Sequence, residues 1–460
     1  MLSVDNQTLQ SRRRELLDTY GVRAPRYTSY PTAVQFTPAV DADVFAGWLG
    51  ALPMDEAVSL YVHIPFCRRL CWYCGCNTRV VNGNASISRY VARLREELTM
   101  VAAALPGRLA ASQIHLGGGT PNVLEPEDLA ALFGALRRTF DVSPDVEISA
   151  EIDPVVFTEA WARAAVSHGL TRVSLGVQDL TPAVQRAVNR NEPFSVIVDA
   201  VAVLRRLGLK SVNFDVMYGL PRQGVADVIR TLDQLLTLRP DRLALFGYAH
   251  VPWMKAHQKL INDAELPDAV ERLDQSESAA ERLVAEGYVR IGLDHFALPT
   301  DSLAKAAEDG RVMRNFQGYG ASGPQSLLGF GASAISMLRE GMAQNQTAEL
   351  AWGQAVDQGR LPTARGVAMT EEDRLRGEII ERLMCEFFID LADVTSAHGF
   401  RAGFLDGAEP TLATLESDGL ISRSGSEIRV TQLGRPYVRA VCAAFDAYLE
   451  PSAKRHALAV

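Results

Sequence analysis

Residues 59–77 read SLYVHIPFCRRLCWYCGCN, a β-rich run that turns abruptly into a loop carrying Cys67, Cys71, Cys74 and Cys76. SLYVHI (59–64) has the composition of a strand. Five similar runs follow it, QIHLGGG (113–119), EISAEID (147–153), RVSLGVQ (172–178), SVNFDVMYGL (211–220) and RLALFGYAH (242–250). Amphipathic segments lie between them, such as YVARLREELTMVAAAL (90–105) and EDLAALFGALRRTF (127–140), with apolar residues at three- and four-residue steps. Repeated strand–helix units imply a parallel sheet with helices packed outside it. Six units fit a partial (β/α)6 barrel better than a closed one of eight. A further strand, YVRIGLDHFAL (288–298), is expected beside it.

Polar residues gather at the C-terminal ends of these strands: His63 and Cys67, Gly117 to Thr120, Glu151 and Asp153, Gln178 and Asp179, Asp215, and His250. Ligands bind at that edge of parallel sheets, where loops and helix N-termini converge. The three histidines near this rim, His63, His250 and His295, read as hydrogen-bond partners, and no acid–base dyad is named.

Four thiols within ten residues admit three readings. A structural zinc site uses two CxxC knuckles a dozen or more residues apart, and no second knuckle exists at that distance. A thioredoxin-type pair would use Cys71 and Cys74 and leave Cys67 unexplained. An iron–sulfur cluster held by one short loop is favoured by the C-x3-C-x2-C spacing of Cys67, Cys71 and Cys74, which reaches three irons of a [4Fe–4S] cube and leaves the fourth open. One residue after Cys74 is too short a step to another corner, so Cys76 is expected not to ligate. Cys385 and Cys442 read as buried structural thiols.

Of 460 residues, 22% are charged, with a net charge of −9, which disfavours a general nucleic-acid binder. No apolar run is long enough to cross a bilayer and no secretory signal is read, so a cytoplasmic protein with no membrane partner is expected. The expected domains are an N-terminal arm (1–55), the barrel (56–345) and a helical, winged-helix-like C-terminal domain (346–460). The stretch 415–449 reads there as a helix, a two-stranded wing and a long helix. Arg26, Tyr27 and Tyr30 of the arm are candidate contacts should it close over the site.

C-x3-C-x2-C after the first strand of such a barrel resembles the radical S-adenosylmethionine (SAM) superfamily. There the open iron chelates SAM, and one electron cleaves it to methionine and a 5′-deoxyadenosyl radical. The landmarks PRYTSYPTA (25–33), YVHIPFC (61–67), CGCN (74–77), GGGTP (117–121), EIDP (151–154), GVQD (176–179), YGLP (218–221), YAHVPWMK (248–255), DHFA (294–297) and NFQGY (315–319) resemble, in order, the oxygen-independent coproporphyrinogen III dehydrogenase family. That resemblance implies oxidative decarboxylation of two propionates of coproporphyrinogen III to vinyl groups, giving protoporphyrinogen IX in haem synthesis. A paralogue acting on another substrate and a haem-delivery protein are the alternatives. The substrate's four carboxylates call for cations near the rim.

The resemblance also implies a [4Fe–4S] cluster on Cys67, Cys71 and Cys74 and two SAM molecules. Tyr61, Gly118 and Glu151 match positions near the first SAM. Tyr73, Gly119, Thr120, Gln178, Arg190 and Asp215 match positions at the second, and Ala249 and Ile335 match contacts to adenine. A low-potential electron donor such as flavodoxin or ferredoxin, and a monomer, are expected. Val155, Asn191, Glu192, Gly320 and Ala321 depart from the family pattern, removing polar groups near the presumed active-site mouth.

Overall fold

A computed structural model describes residues 6–21, 24–321 and 326–449. Its central feature is a sheet of twelve strands among the described residues. In chain order these are β1 (Val58–Ile64), β2 (Ala111–Gly118), β3 (Glu147–Ile152), β4 (Arg172–Gln178), β5 (Ser211–Tyr218), β6 (Arg242–Gly247), β7 (Val289–Ile291), β8 (His295–Ala297), β9 (Leu327–Phe330), β10 (Ile335–Leu338), β11 (Gly341–Asn345) and β12 (Thr363–Ala368). The spatial order is β12-β11-β10-β9-β1-β2-β3-β4-β5-β6-β8-β7. From β9 through β6 every neighbour is parallel, while both flanks are antiparallel.

The six expected strands are present at nearly the expected positions, joined by helices on the outer face. Helix Ala85–Ala104 shows why: Ile87, Tyr90, Val91, Leu94, Leu98 and Val101 recur at helical spacing and are all buried. Side chains of this size contribute about 1.5–3 kcal/mol each when buried. Helix Glu159–Ser167 is capped by the Thr158 hydroxyl, which accepts from the Trp161 amide at 3.2 Å.

Four outcomes differ from the sequence reading. The single strand expected at 288–298 is a hairpin, β7 and β8, broken at Gly292, whose φ of +54° turns the chain back. A parallel strand not foreseen, β9, closes against β1, and β10 to β12 extend the sheet past residue 345 as far as Ala368. The long C-terminal helix is short, Val438–Ala443, and the wing has a third strand, Phe388–Asp390. Finally, Tyr27 and Tyr30 of the arm do not face the barrel mouth. Both are buried in the core of the C-terminal region with Leu383, Val438 and Phe445. The Tyr27 hydroxyl donates to Asp446 at 3.1 Å, and the Tyr30 hydroxyl accepts from the Ala447 amide at 2.9 Å. Only Arg26 reaches the barrel, donating to the Gly247 carbonyl at 3.0 Å. Among the described residues, no helix is long and apolar enough to cross a membrane.

Candidate active site

Strand register sets the interior. Side chains alternate between faces, so residues paired across neighbouring strands form polar rungs inside the barrel. One rung runs Tyr61, His115, Ser149. A second runs Glu151, Ser174, Asn213, and a third runs Gly176, Asp215, Ala244, His295.

On the first rung the Tyr61 ring stacks on His115 at 5.9 Å. His115 bonds the Ser149 hydroxyl at 2.7 Å through Nδ1 and stands 3.4 Å from Glu151 through Nε2. Glu151 also accepts from the Gly118 amide at 3.0 Å. Burial pushes this carboxyl up, but His115, the Gly118 amide and His63 outweigh it and hold it below the usual range. Asp215 accepts from Ser174 at 2.8 Å and Asn213 at 2.9 Å, yet burial pushes it up to about 6. The two carboxylates, which the family resemblance relates to SAM, therefore differ in character: Glu151 is the more strongly ionised and Asp215 the more readily neutralised.

His63 bonds the Tyr61 hydroxyl at 2.9 Å through one ring nitrogen and the Asn77 carbonyl at 2.9 Å through the other. Gly118 has φ +111°, and a Cβ there would overlap the His63 ring. A Cβ on Gly119 would stand 2.7 Å from the Phe66 carbonyl oxygen. These glycines are thus demanded by the protein's own packing as well as by any ligand. Ile335 lies on the far side of β1, its carbonyl against Gly329, which pairs with Tyr61. Tyr73 packs on an apolar cluster of Val184, Val188, Leu220, Tyr248 and Ile261. Gln178 ends β4 with φ +69°, and the Ala249 carbonyl accepts from Gln258 at 3.2 Å.

The cysteine loop is held by residues distant in the chain. The Cys67 sulfur accepts from Thr120 at 3.3 Å, Cys71 from Arg190 Nη1 at 3.5 Å, and Cys74 from the Cys76 amide at 3.4 Å. Each sulfur of the C-x3-C-x2-C set thereby has its own donor, as iron-bound thiolates require for tuning. Cys76 is exposed, and its role in these contacts is to donate to Cys74. A hydrogen bond from the Cys76 side chain, helped by the Cys76 amide, holds the Cys74 thiol down to about 6, whereas burial pushes Cys67 up to about 11. Among the described residues, no three of His, Cys, Asp and Glu stand grouped round a single metal-ion position. The donor set fits a cluster with three protein ligands.

Sequence reasoning missed two supporting groups. The loop after β6 holds the cysteine loop by its carbonyls: Lys255 donates to Cys76, His257 bonds Cys74 and Gln258 donates to Tyr73, at 3.0, 2.8 and 3.0 Å. Lys255 ends the landmark YAHVPWMK (248–255), whereas His257 and Gln258 lie just beyond it. Behind the loop, Arg69 and Arg190 face Asp153 and Glu192. Glu192 lies 3.1 Å from Arg69 and 3.2 Å from Arg190, and its side chain is 0% exposed. Arg190 also donates to the Gly176 carbonyl, and although burial opposes its charge, Tyr73, Glu192 and Asp153 hold it firmly protonated. Asn191 and Glu192 therefore lie behind the cysteine loop and not at the active-site mouth, where their departure from the family pattern had suggested. Val155 is exposed, and Ala321 and Gly320 pair with Val312 and Met313 in a separate hairpin. Residues 322–325 of the altered stretch lie outside the described residues.

The chain is similar to known proteins along most of its length. Residues 61–235 match the Radical SAM superfamily and residues 369–437 the HemN C-terminal domain. The chain is 46% identical over 449 residues to the oxygen-independent coproporphyrinogen III oxidase of Bradyrhizobium diazoefficiens, covering 97% of this chain and 100% of that protein. It is 39% identical to the enzyme of the same name from Salmonella typhimurium, covering 95% and 96%. The solved structure of coproporphyrinogen III oxidase from Escherichia coli, a radical SAM enzyme, superposes with a TM-score of 0.88 at 38% identity, covering 92% of this chain and 98% of that one. The chain belongs to the oxygen-independent coproporphyrinogen III oxidase family of radical SAM enzymes.

Proposed function

We infer that this chain converts two propionates of coproporphyrinogen III to vinyl groups without O2, giving protoporphyrinogen IX. The observation that carries the reading is the hydrogen-bonded trio Cys67, Cys71 and Cys74 at the mouth of a barrel lined by Tyr61, Glu151 and Asp215. The cluster and SAM, when bound, supply a 5′-deoxyadenosyl radical. A propionate CH2 offers no acidic proton, so removal of a hydrogen atom is the accessible first step. With the hydrogen atom taken from the carbon beside the ring, cleavage of the bond between the neighbouring carbon and its carboxylate releases CO2, and transfer of one electron to an acceptor leaves the vinyl group.

The residues divide the remaining work. Cys67, Cys71 and Cys74 hold the cluster, and Glu151 with the Gly118 amide offers an acceptor and a donor to the first SAM beside Tyr61 and Ile335. Thr120, Gln178, Arg190 and Asp215, with Tyr73, Gly119 and Ala249, would border a second SAM. The electron comes from a low-potential carrier such as flavodoxin or ferredoxin, and the enzyme works as a monomer in the cytoplasm.

The test is anaerobic reconstitution with SAM, a reductant and coproporphyrinogen III, following 5′-deoxyadenosine, CO2 and protoporphyrinogen IX. Deoxyadenosine without vinyl product would reject the substrate and keep the radical chemistry.

A further inference from the structure

The loop after β6 presents apolar side chains to solvent beside the cysteine loop. Trp253, Met254 and Leu260 are 53%, 68% and 58% exposed. Of the chain's five tryptophans, all within the described residues, Trp253 alone is exposed. An open hollow of about 400 Å3 lies among Pro252, Trp253, Lys259 and Asp263. Exposed apolar groups gathered in one place mark sites of interaction, because water leaves them at a gain when a partner covers them. The same loop is tied to the cysteines. Between Met254 and Leu260, the side chains of Lys255, His257 and Gln258 bond the carbonyls of Cys76, Cys74 and Tyr73 at 3.0, 2.8 and 3.0 Å. One hydrogen bond, from His257, thus joins this surface turn to Cys74.

Charge along the two touching segments is one-sided. Residues 251–262 carry Lys255 and Lys259 and no acidic residue, and residues 65–81 carry Arg68, Arg69 and Arg79 and no acidic residue, in a chain of net charge −9. Carboxylates reach them from other elements: Glu349 stands 2.9 Å from Arg79, and Asp153 and Glu192 stand 3.3 and 3.1 Å from Arg69. Asp263, just past the loop, lies 3.0 Å from His250. Lys259 is exposed and borders the hollow, and the Arg79 side chain is half-exposed. An apolar centre with a cationic fringe suits an acidic partner, which such a field steers toward it.

We propose that Trp253, Met254, Leu260 and Lys259 form the docking surface for the electron donor, an acidic flavoprotein whose exposed flavin edge meets Trp253 and Met254. This rests on the radical chemistry of Cys67, Cys71 and Cys74, and deepens it by naming where the electron enters and a flavin as its carrier. Each cleavage of SAM consumes one electron that must come from outside the chain. The carrier's reduced flavin gives up that electron and the cluster passes from 2+ to 1+, with no bond made or broken and no proton moved. An indole and a polarizable thioether offer a flat apolar ring the contact it needs. Redox encounters bury little surface, so a patch of three apolar side chains with a charged fringe is of the right scale.

The test titrates flavodoxin into the anaerobically reconstituted holoenzyme by calorimetry, and separately follows 5′-deoxyadenosine with either reduced flavodoxin or dithionite and methyl viologen as donor. Trp253→Ser and Lys259→Glu should each weaken flavodoxin binding about tenfold, the scale of a central interface contact. Both should raise the KM for flavodoxin by a similar factor, and added salt should raise it in the unmutated enzyme. With dithionite, which needs no docking, both variants should form deoxyadenosine at the wild-type rate, and the KM for coproporphyrinogen III should not move. Wild-type flavodoxin affinity in both variants, alongside normal deoxyadenosine formation, would overturn the docking surface and leave the function standing. An equal loss of rate with dithionite would also overturn it, since the loop would then serve the cluster or the substrate. Turnover with reduced ferredoxin but none with flavodoxin would overturn the flavin carrier. No deoxyadenosine from the unmutated enzyme with dithionite would overturn the radical chemistry and the docking surface together.

Discussion

Arg190 holds Cys71 from behind, with Nη1 3.5 Å from the sulfur while the same guanidinium pairs with Glu192 at 3.2 Å. The cluster's second layer is therefore ionic, with Arg69 and Arg190 balanced by Asp153 and Glu192. Glu192 is one of the positions that depart from the family pattern, and burial pushes its carboxyl up to about 7.

Replacing Glu192 with Gln should raise the cluster's reduction potential at pH 8.5, where the wild-type carboxylate is ionised. A unit charge about 10 Å away at an effective dielectric of about 20 is worth roughly 1.7 kcal/mol, or about 70 mV for one electron. Redox titration followed by electron paramagnetic resonance measures it. An unchanged or lower potential would show that Glu192 is electrically screened from the cluster.

The three hydrogen-bonded thiols should separate cleanly from the fourth. Cys67→Ala, Cys71→Ala and Cys74→Ala should each lose iron and sulfide after reconstitution. Cys76→Ala should retain both, because its sulfur only supports Cys74, and its backbone amide survives the change. Iron loss in Cys76→Ala equal to the others would make it a ligand.

How much of this was readable without coordinates depended on sequence distance. Cys67, Cys71 and Cys74 lie on one loop, and strand-end residues such as Glu151 and Asp215 follow from two-residue alternation, so a linear reading reached them. Arg190 and Cys71 are 119 residues apart, and Lys255 and Cys76 are 179 apart. No local pattern encodes such pairs. The arm misled for a related reason: Pro, Tyr and Thr suggested a lid, but Tyr27 and Tyr30 found apolar partners more than 300 residues later. The break in 288–298 turned on the conformation of Gly292, against which the Tyr319 ring packs. The ring fills the space a side chain would need, a constraint visible only once the hairpin at 312–321 is folded.

Gly118→Ala tests whether the glycine cradle is a packing device. Alanine would have to adopt φ +111° and displace the His63 ring, breaking its bonds to Tyr61 and Asn77. A strained position of this kind costs on the order of 1–3 kcal/mol. The melting temperature should fall, and SAM should bind more weakly because Tyr61 and the Gly118 amide move together. Normal stability with weakened SAM binding would instead assign the glycine to ligand contact alone.

A pH effect on stability should trace to Glu97, on helix Ala85–Ala104. It is 2% exposed and accepts from the Gly331 amide at 2.8 Å, Asn345 at 2.6 Å and the Trp352 indole at 3.3 Å. Burial pushes its carboxyl up to about 8 from an ordinary 4.5, against the pull of those three donors. The folded chain thus keeps a proton that the unfolded chain releases above about pH 4.5. The stability linked to that proton is whole below pH 4.5 and drains away as pH rises to about 8. Glu97→Gln cannot titrate, so its stability should fall less over the same interval. Urea unfolding of wild type and variant at pH 5, 6.5 and 8 reads the difference, which should grow in the variant's favour with pH. Asp215 and Glu192, also raised, bend both curves alike and cancel in the comparison. Parallel curves would mean that the three donors hold Glu97 ionised throughout, and that the junction of β9, β11 and the helix carries a buried charge.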